Sequence, residues 1–110
     1  MKLTISGHHI DVTDALKTYV TGKLDKIVNH FDDVVGTKVI LSVERHKEKD
    51  GKRAECTLHL KGADLFAESS NADLYAAIDE MASKLERQVM RHKEKIQNHS
   101  KEAAKRAPIV

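Results

Sequence analysis

From Lys2 to Ser6, Leu3 and Ile5 alternate with Lys2, Thr4 and Ser6, which is the period of a half-buried β-strand. Gly7 ends that run. The period then lengthens: Leu16, Val20, Leu24, Ile27 and Phe31 recur every three or four residues, predicting a helix with one buried face that reaches about Phe31. Thr13 is its expected N-cap and Asp14 lies in its first turn, while Asp32-Asp33 would oppose the helix dipole and so mark its end. Alternation returns over Lys38 to Arg45, with Val39, Leu41 and Val43 inward, and again over Arg53 to Lys61, with Ala54, Cys56, Leu58 and Leu60 inward. Between these two antiparallel strands, His46 to Lys52 contains Asp50-Gly51, a pair suited to a hairpin turn. Gly62 breaks the second strand, and Leu65 to Ser69 reads as a short fourth strand with Leu65 and Ala67 inward.

The longest helical pattern runs from Asp73 to His99, with Ser70 or Asn71 as its cap. Leu74, Ile78, Met81, Leu85, Val89, His92 and Ile96 form its apolar stripe. Lys84, Arg87, Arg91 and Lys95 recur at the same spacing on a flank about 100° away, and Asp79, Glu86 and Glu94 fall further round. The expected order is therefore β-α-β-β-β-α, an α+β domain. One apolar face on a four-stranded, mostly antiparallel sheet and one stripe on each helix are satisfied together when both helices pack on the same face. The first crossover makes strands one and two parallel. The domain is expected over residues 1–99, with residues 100–110 a flexible basic tail interrupted by Pro108.

At 110 residues, 33% charged and 40% hydrophobic, the chain is sized for one core. Neither a signal peptide nor a membrane span is visible. A single cysteine, Cys56, excludes an intramolecular disulfide and suits a reducing cytoplasm. The formal net charge of +2 conceals a division: residues 84–106 carry eight Lys/Arg against three Glu, leaving eleven against fourteen in residues 1–83. Such polarity steers an anionic partner to one surface.

Tyr19, Lys23, Lys26 and His30 form a second cationic ridge on the first helix, spaced four, three and four. If the helices lie side by side, the two ridges can border one phosphate-binding surface, with Arg offering bidentate geometry and Tyr19 or Tyr75 a ring for base stacking. The alternative is two solvated helix faces. Pattern does not decide which flank faces which. Seven histidines invite a metal reading, but His8-His9 point to different sides and no pair has a recognised ligand spacing. Cys56 alternates with core residues, the serines lack a surrounding motif and the five glycines are dispersed, so neither catalysis nor a cofactor is expected.

The run Asp73-Leu-Tyr-Ala-Ala-Ile-Asp79, continuing through Lys84-Leu-Glu-Arg-Gln88 to Arg91-His-Lys-Glu-Lys95, resembles the hallmark segment of bacterial ribosome hibernation factors, the family of ribosome-associated inhibitor A and sigma-54 modulation protein. Leu3-Thr-Ile-Ser-Gly7 and Ile10-Asp-Val-Thr-Asp-Ala-Leu16 are similar to that family's opening. The resemblance implies a fold similar to double-stranded-RNA-binding domains. It also implies binding to 16S rRNA of the small (30S) subunit near the decoding centre, occlusion of messenger and tRNA sites, and inhibition of translation in stationary phase. It carries the rRNA contacts to Lys23, Lys26, Lys84, Arg87 and Arg91, with His92, Lys93 and Lys95 as additions. The chain lacks the dimerisation domain of long family members, and its short basic tail differs from the acidic tail of ribosome-associated inhibitor A. Those features favour a short promoting form that pairs ribosomes into 100S dimers with ribosome modulation factor and is a monomer off the ribosome. The alternatives are an inhibitor of single 70S ribosomes and, in a different class, a protein-interaction module.

Overall fold

The computed structural model describes the backbone of residues 2–29, 34–46 and 49–106, and side chains within 2–29, 34–43 and 51–95. The elements follow the expected order: β1 (Lys2–His8), α1 (Asp14–Val28), β2 (Val34–His46), β3 (Lys49–Leu60), β4 (Ala63–Asn71) and α2 (Leu74–Arg106). The sheet order is β1-β2-β3-β4, with β1 and β2 parallel and the other neighbours antiparallel.

Both helices bury their apolar stripes on one face of this sheet. Leu16, Val20, Leu24 and Ile27 of α1 and Leu74, Ile78, Met81, Leu85 and Val89 of α2 join Val39, Leu41, Ala54, Cys56, Leu58, Leu60 and Ala67 in one cluster. Ala77 and Ala82 belong to it too, at positions where a larger side chain would hold the helix off its neighbours. The β4 register is the expected one: Ala67 is buried and Phe66, on the open face, is 47% exposed. His92 is half-buried on the α2 stripe. Phe31 and His30 lie outside the described residues, as does the side chain of Ile96.

Several boundaries differ from the sequence reading for identifiable reasons. Gly7 lies within β1 rather than after it; a Cβ there would sit 2.3 Å from the Ile10 carbonyl oxygen, so the glycine admits the chain folding back past the strand end. β2 begins at Val34, four residues earlier than expected, because a register shift between Val34 and Gly36 interrupts the alternation. Asp50-Gly51 is not the hairpin turn. His46 pairs with Lys49, Arg45 with Asp50 and Glu44 with Gly51, so the pair sits inside the ladder and the connection, Lys47-Glu48, lies outside the described residues. The α2 cap is Asp73, whose Oδ1 accepts from the Tyr75 amide at 3.0 Å, while Asn71 Oδ1 accepts from the Asp73 amide at 3.0 Å. Ser70 belongs to β4. At the other end α2 continues to Arg106, past the expected limit at His99.

Candidate nucleic-acid interface

The seam between α1 and α2 is polar at one end. Tyr19 Oη donates to Asp79 Oδ1 at 2.6 Å, and Lys23 Nζ approaches the same oxygen at 3.1 Å. The Tyr19 ring meets Tyr75 edge-on at 4.9 Å between centroids, and Lys23 Nζ stands 5.5 Å from the Tyr19 ring centre. The hydrogen bond from Tyr19 holds the Asp79 carboxyl below its usual range, reinforced by Lys23, and the same bond raises the Tyr19 hydroxyl. Lys23 is raised by its hydrogen bond to Asp79. Further along, Lys26 of α1 shares a cleft with Ile27, Glu86, Val89, Met90 and Lys93.

The ridge of α2 lies elsewhere. Lys84 Nζ donates to the Glu68 carbonyl of β4 at 2.9 Å, and Gln88 Nε2 donates to the Phe66 carbonyl at 2.5 Å. These bonds place the Lys84 flank against β4. The flank carrying Asp79 and Glu86 therefore faces α1, and the two cationic ridges do not border a shared seam. Arg87 occupies the crest between the flanks, lining a shallow depression with Ser69, Asp79, Glu80, Ser83 and Lys84. Arg87, Arg91 and Lys95 are exposed, with Lys95 and Arg91 on the β4 side of the crest by their spacing from Lys84. The cationic ridge of α2 thus lies away from the α1 seam, where Lys26 and Lys93 line the cleft between the helices.

Of the two candidate stacking rings, Tyr19 is half-buried with its hydroxyl engaged, while Tyr75 is 40% exposed. His92 and Lys93 both have interactions within the protein. Glu80 accepts from Ser69 Oγ at 2.5 Å and Asn71 Nδ2 at 2.8 Å, and these bonds, Ser69's first, lower its pKa while tying α2 to the end of β4. The open sheet face carries its own polar pairs, His59 Nδ1 with Asp64 Oδ1 at 2.9 Å and Arg53 with both Glu55 and Glu68.

Burial pushes the Cys56 thiol up to about 12, which removes the thiolate that nucleophilic chemistry needs. No cluster of three or more potential metal ligands occurs among the described residues. Nor is any of their helices long and apolar enough to cross a membrane. Two features of this surface are not marked by the sequence pattern. Asp79 was one of three acids on a flank, and only the approach of Tyr19 makes it a hub. Met90 lies outside the apolar stripe, and its only mark in the sequence is a methionine on an otherwise polar flank; in the structure it is 56% exposed beside the cleft.

Comparison with known proteins gives concordant matches. The family model described as Sigma 54 modulation protein / S30EA ribosomal protein matches residues 3–97. The ribosome hibernation promoting factor of Azotobacter vinelandii is 47% identical over 95 residues, covering 86% of this chain and 85% of that one. The factor of the same name from Escherichia coli K12 is 37% identical over 99 residues, covering 90% of this chain and 100% of that one. The crystal structure of the Thermus thermophilus Protein Y N-terminal domain superposes with a TM-score of 0.74 at 35% identity, covering 84% of this chain and 99% of that one. A ribosomal subunit interface protein from Coxiella burnetii shares the fold, with a TM-score of 0.77 at 23% identity over 86% of this chain and 99% of that one.

Proposed function

The chain belongs to the Sigma 54 modulation protein / S30EA ribosomal protein family, and from that premise we propose that it is a ribosome hibernation factor. It acts by occupancy in the cytoplasm and performs no catalysis. It binds 16S rRNA of the small subunit near the decoding centre, excludes messenger and tRNA, and in stationary phase promotes paired, inactive ribosomes together with ribosome modulation factor. Off the ribosome it is a monomer.

The observation that carries this reading is the exposed row of Arg87, Arg91 and Lys95, extended by Lys84, on a long helix whose opposite stripe is locked into the core. A cation on a packed helix meets a phosphate with its backbone already ordered, so only side-chain freedom is lost on binding, and Arg adds bidentate recognition. Lys26 adds charge from α1, while Lys23 reaches a phosphate by exchanging or sharing its bond with Asp79.

The test is sedimentation of stationary-phase ribosomes with the wild type and with Arg87→Glu/Arg91→Glu/Lys95→Glu. This variant leaves the Lys84 bond to β4 in place. The wild type is expected to travel with small subunits and ribosome dimers, and the folded variant to remain at the top of the gradient. Co-migration of the variant would refute the rRNA reading. Wild-type binding accompanied by loss of dimers would instead identify an inhibitor of single ribosomes.

A further inference from the structure

Past the Tyr19–Asp79 contact, residues of both helices line a cleft of about 270 Å³. Ile27 and Val89, both nearly buried, take part in its lining alongside Met90. Twelve residues after Ile78, Met90 falls about 120° from the core stripe, among the acidic residues of that flank. Among the described residues, Met90 is not one of the hydrophobic side chains packed against the core. Lys26 from one helix and Lys93 from the other also line the cleft, as does the carboxylate of Glu86.

An occupant matched to these groups has an apolar body, negative charge on more than one side and a hydrogen-bond donor. An unstacked nucleotide has all three. A thioether is soft and polarizable and makes favourable contacts with planar rings. Ammonium groups neutralise the phosphates flanking a splayed base, and a carboxylate accepts from an exocyclic amine. Resting on the rRNA reading above, we propose that this cleft receives one unstacked, amine-bearing base of the ribosomal RNA, an adenine, cytosine or guanine. Met90 and Val89 contact its face, Glu86 accepts from its amine, Lys26 holds one adjoining phosphate, and Lys93 reaches the other by sharing or exchanging its interaction within the protein.

The test uses small subunits saturated with the wild type, Met90→Gln or Lys26→Ala, probed with dimethyl sulfate for adenine and cytosine and with kethoxal for guanine. Met90→Gln preserves length, charge and helix propensity at an exposed position, so the fold is retained. The wild type should protect one base that regains reactivity with Met90→Gln. That variant should bind about tenfold more weakly, the scale of one lost base contact, with an unchanged salt dependence. Lys26→Ala should instead lower the slope of log affinity against log salt by roughly 0.7 to 0.9. Wild-type affinity for Met90→Gln would overturn the proposal. So would weaker binding without any base regaining reactivity, because the cleft would then hold an apolar side chain of a ribosomal protein. Failure of the wild type to bind small subunits would overturn the rRNA reading itself, and this inference with it.

Discussion

Removing Arg87, Arg91 and Lys95 together, as the triple alanine variant, should change how binding responds to salt as well as how tightly the protein binds. Lys26, Arg87, Arg91 and Lys95 are exposed and make no ion pair among the described residues, whereas Lys23 and Lys84 already donate to protein oxygens. Four to six phosphate contacts correspond to a slope of log affinity against log salt of roughly −3 to −5, using single-strand and duplex coefficients as bounds. Deleting three contacts should flatten that slope by roughly 2 to 3 units, so a tenfold rise in salt should weaken the variant by roughly two orders of magnitude less than the wild type. Filter binding to purified small subunits over a potassium chloride series at fixed magnesium measures both slopes. Lys84 is left intact because its loss would also strip a partner from β4. If the variant bound more weakly but with the wild-type slope, the three side chains would be acting through shape, and the electrostatic argument would be wrong.

Three further outcomes concern the scaffold. Leu85→Ala, at a fully buried position on α2, should lower stability in urea by about 2 to 5 kcal/mol. Gly7→Ala should shift the urea midpoint more than Gly62→Ala. At Gly62 the added carbon meets a positive φ of 78° but open space, whereas at Gly7 it meets backbone at 2.3 Å. Asp79→Asn should be less stable than wild type at neutral pH. Because the folded Asp79 carboxyl titrates below its unfolded value, its contribution is present above about pH 4 and fades as pH falls through the folded value. Urea midpoints of the two proteins should therefore converge on acidification, and a gap that persisted at low pH would refute this account.

The alternation and the three- and four-residue spacings were enough to place each strand and helix stripe, because burial of one face repeats with the geometry of the backbone. Faces are not registers. The expected turn at Asp50-Gly51 and the observed ladder differ by an even number of residues, so both put Val39, Leu41, Ala54 and Cys56 inward, and periodicity is blind to the choice. The Val34–Gly36 irregularity was hidden for the opposite reason, since a bulge destroys the very alternation that marks a strand. Residue spacing on α2 separated the cationic flank from the acidic one. It did not reveal that the acidic flank meets α1, because that depends on how two helices dock and on side chains sixty residues apart, such as Tyr19 and Asp79.

The bonds from Lys84 and Gln88 to the carbonyls of Glu68 and Phe66 have a further effect. Those residues are two apart on a strand that, among the described residues, has no neighbour on its outer side, so their carbonyls project from the rim of the sheet. An exposed rim of acceptors invites a foreign strand and, at high concentration, polymerisation. Two side chains reaching down from the helix occupy these acceptors in advance. A foreign strand approaching this stretch of β4 would first have to displace the bonds from Lys84 and Gln88, so the side chains that anchor α2 also shield part of the sheet edge.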